Sequence, residues 1–227
     1  MTMKNIITFA AFITLFTTAS FAQSIGIKVG ANMTNTRIDG VASQLNPNTD
    51  FKTGFVGGVF SDIALMNGFS FHPEVNFIQK GFVTEYETDF EMVGINIPLG
   101  ASAQTNLNFI EAAPLFKYAI GNENVKFYAL AGPSIGYAIN GKVTTRARAL
   151  FDFNVTSTDL NLDNDMYNRI DIAGNVGVGT AIKAGPGEIF ADVRYQHSFS
   201  SGLKDQILNI DFRNSGVSAN VGYAYNF

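Results

Sequence analysis

Residues 217–227 decide the fold, and they read Val-Ser-Ala-Asn-Val-Gly-Tyr-Ala-Tyr-Asn-Phe. Valine, alanine, tyrosine and phenylalanine occupy the odd-numbered positions, whereas serine, asparagine, glycine and alanine occupy the even-numbered ones. Successive side chains of a β-strand point to opposite faces. The stretch therefore predicts a strand with one apolar face and one face of small, mostly polar side chains.

The same alternation recurs seven times earlier in the chain. Residues 69–80 show it most clearly, because Phe71 and Phe77 fall on one face while His72 and Glu74 fall on the other. Eight strands are predicted on this basis. They are residues 24–33, 52–63, 69–80, 104–118, 125–139, 169–181, 188–199 and 217–227.

The connections between these strands are of two alternating kinds. Residues 64–68, 119–124 and 182–187 are short and carry Asn-Gly, Gly-Asn or Gly-Pro-Gly turn chemistry. The other connections, residues 34–51, 81–103, 140–168 and 200–213, are long and polar. This pattern predicts an antiparallel up-and-down sheet with short turns at one end and long loops at the other.

The first 22 residues have the pattern of a secretory signal peptide. Lys4 gives a short basic region, residues 6–16 are mostly apolar, and Ser20-Phe21-Ala22 provides small residues at a cleavage site. The apolar run is shorter than the roughly 20 residues that a helix needs to span a bilayer. We therefore expect residues 1–22 to direct export and residues 23–227 to form one mature domain.

The composition narrows the class of protein. The sequence is 46% hydrophobic and contains 21 phenylalanines, yet its apolar residues alternate with polar ones instead of forming long runs. This distribution is typical of strands that face lipid on one side. The absence of cysteine excludes disulfides and thiolate metal sites, and the net charge of −4 gives no electrostatic basis for nucleic-acid binding.

These patterns predict an all-β protein, an eight-stranded antiparallel up-and-down transmembrane β-barrel in the cell outer membrane. An open sheet edge is too costly in hydrocarbon, so the first and last strands must pair. With an even strand number, both mature termini are expected on the periplasmic side, together with the short turns. The aromatic row of the last strand is interpreted as the signal for assembly, and its members are Tyr223, Tyr225 and Phe227.

Several motifs resemble the PorT-type outer-membrane β-barrel family of Gram-negative bacteria, over essentially all of residues 23–227. The matching segments are residues 25–30 (Ile-Gly-Ile-Lys-Val-Gly), Pro73-Glu74, Gln79-Lys80-Gly81, Glu111, residues 114–118 (Pro-Leu-Phe-Lys-Tyr) and residues 128–137 (Tyr-Ala-Leu-Ala-Gly-Pro-Ser-Ile-Gly-Tyr). The resemblance implies the barrel fold and an outer-membrane location. The namesake's association with secretion and gliding machinery is not carried over to this chain.

The inward faces of the predicted strands carry charges of both signs. A barrel of eight strands is only wide enough for side chains to fill its interior, and buried charges must be paired. We therefore predict a network of ion pairs that fills the lumen. Its expected members are His72, Glu74, Glu111, Lys117, Asp171, Asp192 and Arg194, with Lys28, Asp62 and Lys80 on the same faces. Tyr128 and Leu130 break the alternation of their strand, so their face remains open.

Two features could support chemistry. His197 lies near the loop end of its strand, and nearby are Ser198, Ser200, Ser201 and Asp205. These residue types could form a hydrolase site at the rim. The preferred interpretation is an interfacial histidine beside aromatic residues. Residues 159–165 have the opening spacing of an EF-hand calcium loop. Asn164 replaces the turn glycine and Ile170 the final glutamate, so a solvated acidic loop is favoured.

The sequence thus favours a monomeric barrel without enzymatic activity, cofactor or bound metal. Its expected role is structural or adhesive, exerted by the long loops outside the cell through an unidentified partner. Outer-membrane lipid and the barrel-assembly machinery are the other expected partners, and no nucleic acid is expected. The alternative is a narrow channel for ions or small solutes, and an outer-membrane hydrolase at the rim is the third possibility.

Overall fold

The computed structural model describes residues 23–39, 48–92, 95–148, 152–160, 162, 168–200 and 211–227. The predicted signal peptide lies outside these residues. The chain forms nine strands: β1 (Ser24–Asp39), β2 (Asn48–Met66), β3 (Phe69–Met92), β4 (Ile95–Gly121), β5 (Val125–Arg148), β6 (Asp152–Asp159), β7 (Ile170–Ala184), β8 (Gly187–Ser198) and β9 (Asp211–Asn226).

Eight of these strands close into a barrel. Each pairs antiparallel with the next in the cyclic order β1-β2-β3-β4-β5-β7-β8-β9, and β9 pairs back onto β1 from Ser24↔Asn226 to Asp39↔Asp211. β6 pairs with β5 beyond the point where β7 begins, so it belongs to a hairpin above the barrel. The predicted eight-stranded antiparallel barrel is confirmed.

The short turns gather at one end of the barrel, here called the turn side, and the long connections at the other, the loop side. Asn67-Gly68 and Gly185-Pro186 are two-residue turns between paired strands. Gly68 and Gly185 have φ values of 75° and 63°, in the left-handed region that favours glycine. The sequence places glycine at the positions where these hairpins need it.

The outer face of the barrel is apolar, as the alternation predicts. Ile27, Val178, Val193 and Val221 are each more than half exposed, although they are aliphatic. The opposite faces of the same strands are buried and carry Lys28, Asp192 and other polar side chains. In a barrel that spans a bilayer the outer surface contacts lipid, so the parity predicted for these strands is confirmed.

The interior is less polar than the alternation suggests. Eight bulky apolar side chains point inward and are buried or nearly so: Val56, Phe60, Ile78, Phe109, Leu115, Tyr128, Leu130 and Phe190. The open question about β5 is thereby answered, because Tyr128 and Leu130 face the lumen. Apolar residues on an inward parity fill space between the charged groups.

Three strands extend far beyond the bilayer. β3, β4 and β5 contain 24, 27 and 24 residues, whereas a spanning strand needs about 9–11. Residues 81–103 were predicted to be a loop, but residues 81–92 and 95–103 continue the β3–β4 hairpin and are paired as far as Met92↔Ile95. The loop side thus carries a sheet that stands above the membrane.

No helix long and apolar enough to cross a membrane occurs in the described part of the chain.

Candidate functional site: the barrel interior

Glu74 lies at the centre of the turn-side half of the lumen. Its carboxylate oxygens lie 2.6 Å from Lys28 Nζ, 2.8 Å from His72 Nε2 and 2.8 Å from Arg194 Nη1. Asn76 Nδ2 donates a further bond of 3.1 Å. The Glu74 side chain is only 1% exposed, so three basic groups hold this carboxylate away from bulk solvent.

Asp62 continues this cluster toward the turn side. Its Oδ1 lies 2.7 Å from His72 Nδ1, and its Oδ2 accepts a 2.9 Å bond from Lys117 Nζ. The Lys117 ammonium also lies 4.7 Å from the centroid of the Tyr128 ring. His72 is therefore enclosed between two carboxylates, because its other ring nitrogen faces Glu74.

Asp192 closes the cluster on the opposite wall. Arg194 donates to it from Nε at 2.9 Å and from Nη2 at 2.7 Å, which is a two-pronged contact. Tyr128 Oη and Asn220 Nδ2 donate to the same carboxylate at 3.1 and 2.8 Å. The turn-side cluster, defined as Lys28, Asp62, His72, Glu74, Lys117, Asp192 and Arg194, thus forms one connected network.

A second group, the loop-side cluster, consists of Lys80, Glu111 and Asp171. Lys80 Nζ donates to Glu111 at 3.1 Å and to Asp171 at 2.9 Å, and its side chain is 1% exposed. Ser198 and Ser200 donate to the two oxygens of Asp171, and Gln196 donates to Glu111. The structure thus separates the seven network residues predicted from the sequence into two groups.

Apolar side chains fill the space around both clusters. Phe60, Leu115, Tyr128, Leu130 and Phe190 pack with three alanines in the turn-side half. A smaller apolar group in the loop-side half contains Val56, Ile78, Phe109, Ala138 and Leu162. Two cavities among the interior side chains have volumes of only about 30 and 10 Å³. A larger one of about 760 Å³ lies at the turn-side end of the barrel and is lined by Asp62, Ser70 and Lys117.

Leu162 comes from the connection that was predicted to be a solvated acidic loop. It is buried, and its carbonyl oxygen accepts a 2.8 Å bond from Arg169 Nε. Leu160 N donates a 2.9 Å bond to Gly141 O, and the Leu160 side chain packs against the loop-side apolar group. The two leucines pack on the loop-side apolar group, whereas Asp159, the acidic residue of this segment that the structure describes, is exposed.

The calcium interpretation of residues 159–165 falls mostly outside the described residues, because 161 and 163–165 are not among them. Within the described ranges, no group of three or more histidine, aspartate or glutamate side chains is placed to hold a metal ion.

Among the described rim residues, Ser198 and Ser200 do not converge on His197. His197 faces outward between Tyr195 and Phe199, with ring centroids at 6.4 and 5.6 Å. Ser198 and Ser200 instead donate to Asp171. Ser201 and Asp205 lie outside the described residues. The described geometry therefore supports the interpretation of His197 as an interfacial residue in an aromatic band.

Several residues that complete the interior were not predicted from the sequence. Asn76, Asn220, Gln196 and Tyr128 each donate to a carboxylate of the two clusters. The inward parity of Asn76, Gln196 and Asn220 is visible in the sequence, whereas the face of Tyr128 was left open. Their partners lie on other strands, however, and depend on the tilt and stagger of the closed barrel.

A closed antiparallel barrel with an apolar outer face and an ion-paired interior defines an integral outer-membrane protein. The family described as outer membrane protein beta-barrel domain matches residues 21–204, and the chain belongs to this family. No curated protein matches the sequence.

Solved barrels of bacterial outer membranes resemble the chain at low identity. Ail of Yersinia pestis, solved with the heparin analogue sucrose octasulfate, is 17% identical over 89% of this chain and 98% of its own, with a TM-score of 0.38. Neisserial surface protein A is 14% identical over 89% and 97%, with a TM-score of 0.40. OprG of Pseudomonas aeruginosa is 11% identical over 91% and 96%, with a TM-score of 0.44. Ligands do not transfer at this level of similarity.

Proposed function

We propose that this outer-membrane barrel has no enzymatic activity and acts through the surface that it presents outside the cell. The observation that carries the proposal is the filled lumen. Glu74 of β3 meets Lys28 of β1 and Arg194 of β8, so ion pairs cross the interior instead of lining an open path. The rival function, a narrow channel, needs a continuous water-filled route.

The extension of the strands supports a role for the loop side. The β3–β4 hairpin continues well past the length needed to span a bilayer, and β5 with β6 adds a second hairpin beside it. Loop-side sheets of this size give a stable platform for binding another molecule. The partner is therefore expected to be an extracellular component that contacts the loop side.

The orientation and finer family follow from the same proposal. Long loops outside and short turns inside place both mature termini in the periplasm after removal of residues 1–22. The motifs at 25–30, 73–81, 111–118 and 128–137 favour the PorT-type branch of the family. Lipid is the solvent of the outer face, the barrel-assembly machinery inserts the chain, and the barrel functions as a monomer.

Planar-bilayer recording tests the closed lumen. The purified barrel should give little or no steady conductance, because the turn-side and loop-side clusters fill the interior. Large, stable, ohmic steps from the wild-type protein would instead support the channel.

A trimmed hairpin tests the external role. Residues 85–102 can be replaced by Asn-Gly, since Thr84 and Ala103 are paired across the hairpin and a two-residue turn can join them. Cells displaying the trimmed barrel should lose the extracellular partner that cross-linking captures on the full-length barrel, whereas the gel shift of the folded barrel on heating should remain. Unchanged binding by the trimmed variant would place the function elsewhere.

A further inference from the structure

A cavity of about 30 Å³ lies in the middle of the lumen, between the two ionic clusters. Lys28, Glu74 and Arg194 line it on the turn side, and Glu111 and Gln196 line it on the loop side. None of the ion pairs described above joins the turn-side cluster to the loop-side cluster. Whatever occupies this cavity therefore decides whether the two clusters form one network.

Three asparagines also line the cavity: Asn32, Asn76 and Asn220. All three are at least 96% buried, and none of their Oδ1 atoms has a hydrogen-bond donor in the described structure. Each Nδ2 has an acceptor: Gln79 O at 2.8 Å, Glu74 Oε2 at 3.1 Å and Asp192 Oδ1 at 2.8 Å, respectively. Flipping any amide would lose that bond, so the oxygens are fixed in place.

The protein itself provides only weak contacts to these oxygens. Each oxygen lies over a glycine on the adjacent strand, namely Gly54, Gly58 and Gly30, respectively. A glycine Cα–H is a much weaker donor than an N–H or O–H group. Buried amide oxygens are nearly always satisfied, so the cavity should hold a guest that can donate hydrogen bonds.

The charge of the cavity lining favours a neutral molecule over a cation. The carboxylates of Glu74 and Glu111 line the cavity, but the charges of Lys28 and Arg194 offset them. A cation would therefore enter a lining without net negative charge, at membrane depth, where unpaired charge is costly. A neutral donor avoids this cost.

The hydrogen-bonding capacity of water and the cavity volume together set the number of bound molecules. One water donates two hydrogen bonds, so three amide oxygens need two waters. A water needs roughly 10–15 Å³ of such a cavity, so about 30 Å³ accommodates two. The Lys28 ammonium has three protons and one acceptor among the described residues, Glu74, so it can donate to a water as well.

We propose that this cavity binds two ordered water molecules, which donate hydrogen bonds to the Oδ1 atoms of Asn32, Asn76 and Asn220. The two waters join the turn-side and loop-side clusters into one hydrogen-bonded network. Three of the four hydrogen bonds that the two waters can donate go to the asparagines, and the fourth can go to Glu111. Because Lys28 can donate to the same water, the water joins Lys28 on the turn side to Glu111 on the loop side. The proposal is independent of what the loops bind, and it concerns a pair of isolated waters instead of a continuous aqueous path.

The test uses the intact barrel folded in detergent micelles, with water-to-protein nuclear Overhauser effects measured at non-exchangeable protons. The β protons of the three asparagines should show contacts to long-lived water. The methyl groups of Leu130, which is buried in the turn-side apolar group, provide the dry control and should show none. Absence of water contacts at all three asparagines would overturn the proposal.

A second measurement separates water from a bound cation. Unfolding midpoints should be equal in lithium, sodium, potassium and caesium chloride at one ionic strength, since water carries no such selectivity. A midpoint that rises with one of these ions alone would show that the cavity holds that ion, and the water assignment would fail. Neither result depends on the loop-side binding function, which the trimmed hairpin tests separately.

Discussion

Arg194 Nη1 lies 2.8 Å from both carboxylate oxygens of Glu74, and the two residues come from opposite walls of the barrel. In the cyclic order of eight strands, β3 and β8 are four steps apart in either direction. The pair therefore spans the full width of the lumen. Because Glu74 also meets Lys28 and His72, removing its charge affects several strands at once.

We predict that Glu74→Gln destabilises the barrel by about 3–5 kcal/mol, the usual cost of removing one partner from a buried ion pair. Lys28 and Arg194 would both lose the carboxylate that offsets their burial. Equilibrium unfolding by urea from lipid vesicles measures the loss. The control is Glu188→Gln, because Glu188 pairs with Lys126, which is 41% exposed, and such a pair contributes at most about 1 kcal/mol. Equal effects of the two changes would contradict the central role of Glu74.

His72 is predicted to carry a proton on both ring nitrogens at neutral pH. Nδ1 faces Asp62 and Nε2 faces Glu74, and ionised carboxylates can only accept. A doubly protonated His72 also balances the two clusters, with five cations (Lys28, His72, Lys80, Lys117 and Arg194) against five carboxylates (Asp62, Glu74, Glu111, Asp171 and Asp192). Nitrogen-15 chemical shifts of the ring report the state directly. The outward-facing His197 serves as the comparison, and a neutral tautomer at His72 would refute the prediction.

Gly58→Ala should destabilise the barrel by about 1–3 kcal/mol through overpacking. An added Cβ would overlap Asn76 Oδ1 and would lie 2.6 Å from the carbonyl oxygen of Val75, and neither atom can move freely. Gly174→Ala is the matched control, since its Cβ would meet only the far edge of the Phe199 ring at 3.1 Å. Unfolding midpoints of the two variants give the comparison. A Gly174 variant as unstable as the Gly58 variant would show that space is not the deciding factor.

Alternation in the sequence was sufficient to predict the barrel and the direction of most side chains, because a closed barrel in lipid requires each strand to have one apolar face. It was not sufficient for Phe60, Phe109 and Leu115, since no local pattern shows why an apolar residue should face inward. Pairs such as Lys80 with Asp171 join residues 91 positions apart and depend on how the sheet closes. The β3–β4 extension was missed because its many acidic residues favour a loop when composition is considered without pairing.

On the lipid face, adding a charge is predicted to destabilise the barrel, whereas in the interior removing a charge is. Val176 and Val193 are 55% and 52% exposed on the outer surface, so an arginine at either position should cost about 2–4 kcal/mol if it lies near the bilayer midplane. Leu65→Arg at the turn side should cost only about 0–1 kcal/mol, because charge is tolerated near the interface. Unfolding from vesicles measures all three. Tolerance of arginine at Val193 together with a severe effect of Gln196→Leu would mean that the inward and outward faces are exchanged.

Deletion of Tyr225–Phe227 should prevent insertion while leaving export intact. Tyr225 pairs with Ile25 on one side and with Gly187 on the other, and Phe227 N donates to Gln23 O at 3.0 Å. The deletion therefore removes the last rungs that close β9 onto β1, together with an aromatic pair whose centroids are 5.5 Å apart. An edge left open in hydrocarbon is too costly, because its backbone groups have no water to bond. We expect the truncated chain to reach the periplasm and remain there, sensitive to protease and without the gel shift of a folded barrel on heating. Phe227→Leu keeps the strand and its backbone bonds and serves as the milder control, and normal insertion of the three-residue deletion would show that closure does not need this end of the strand.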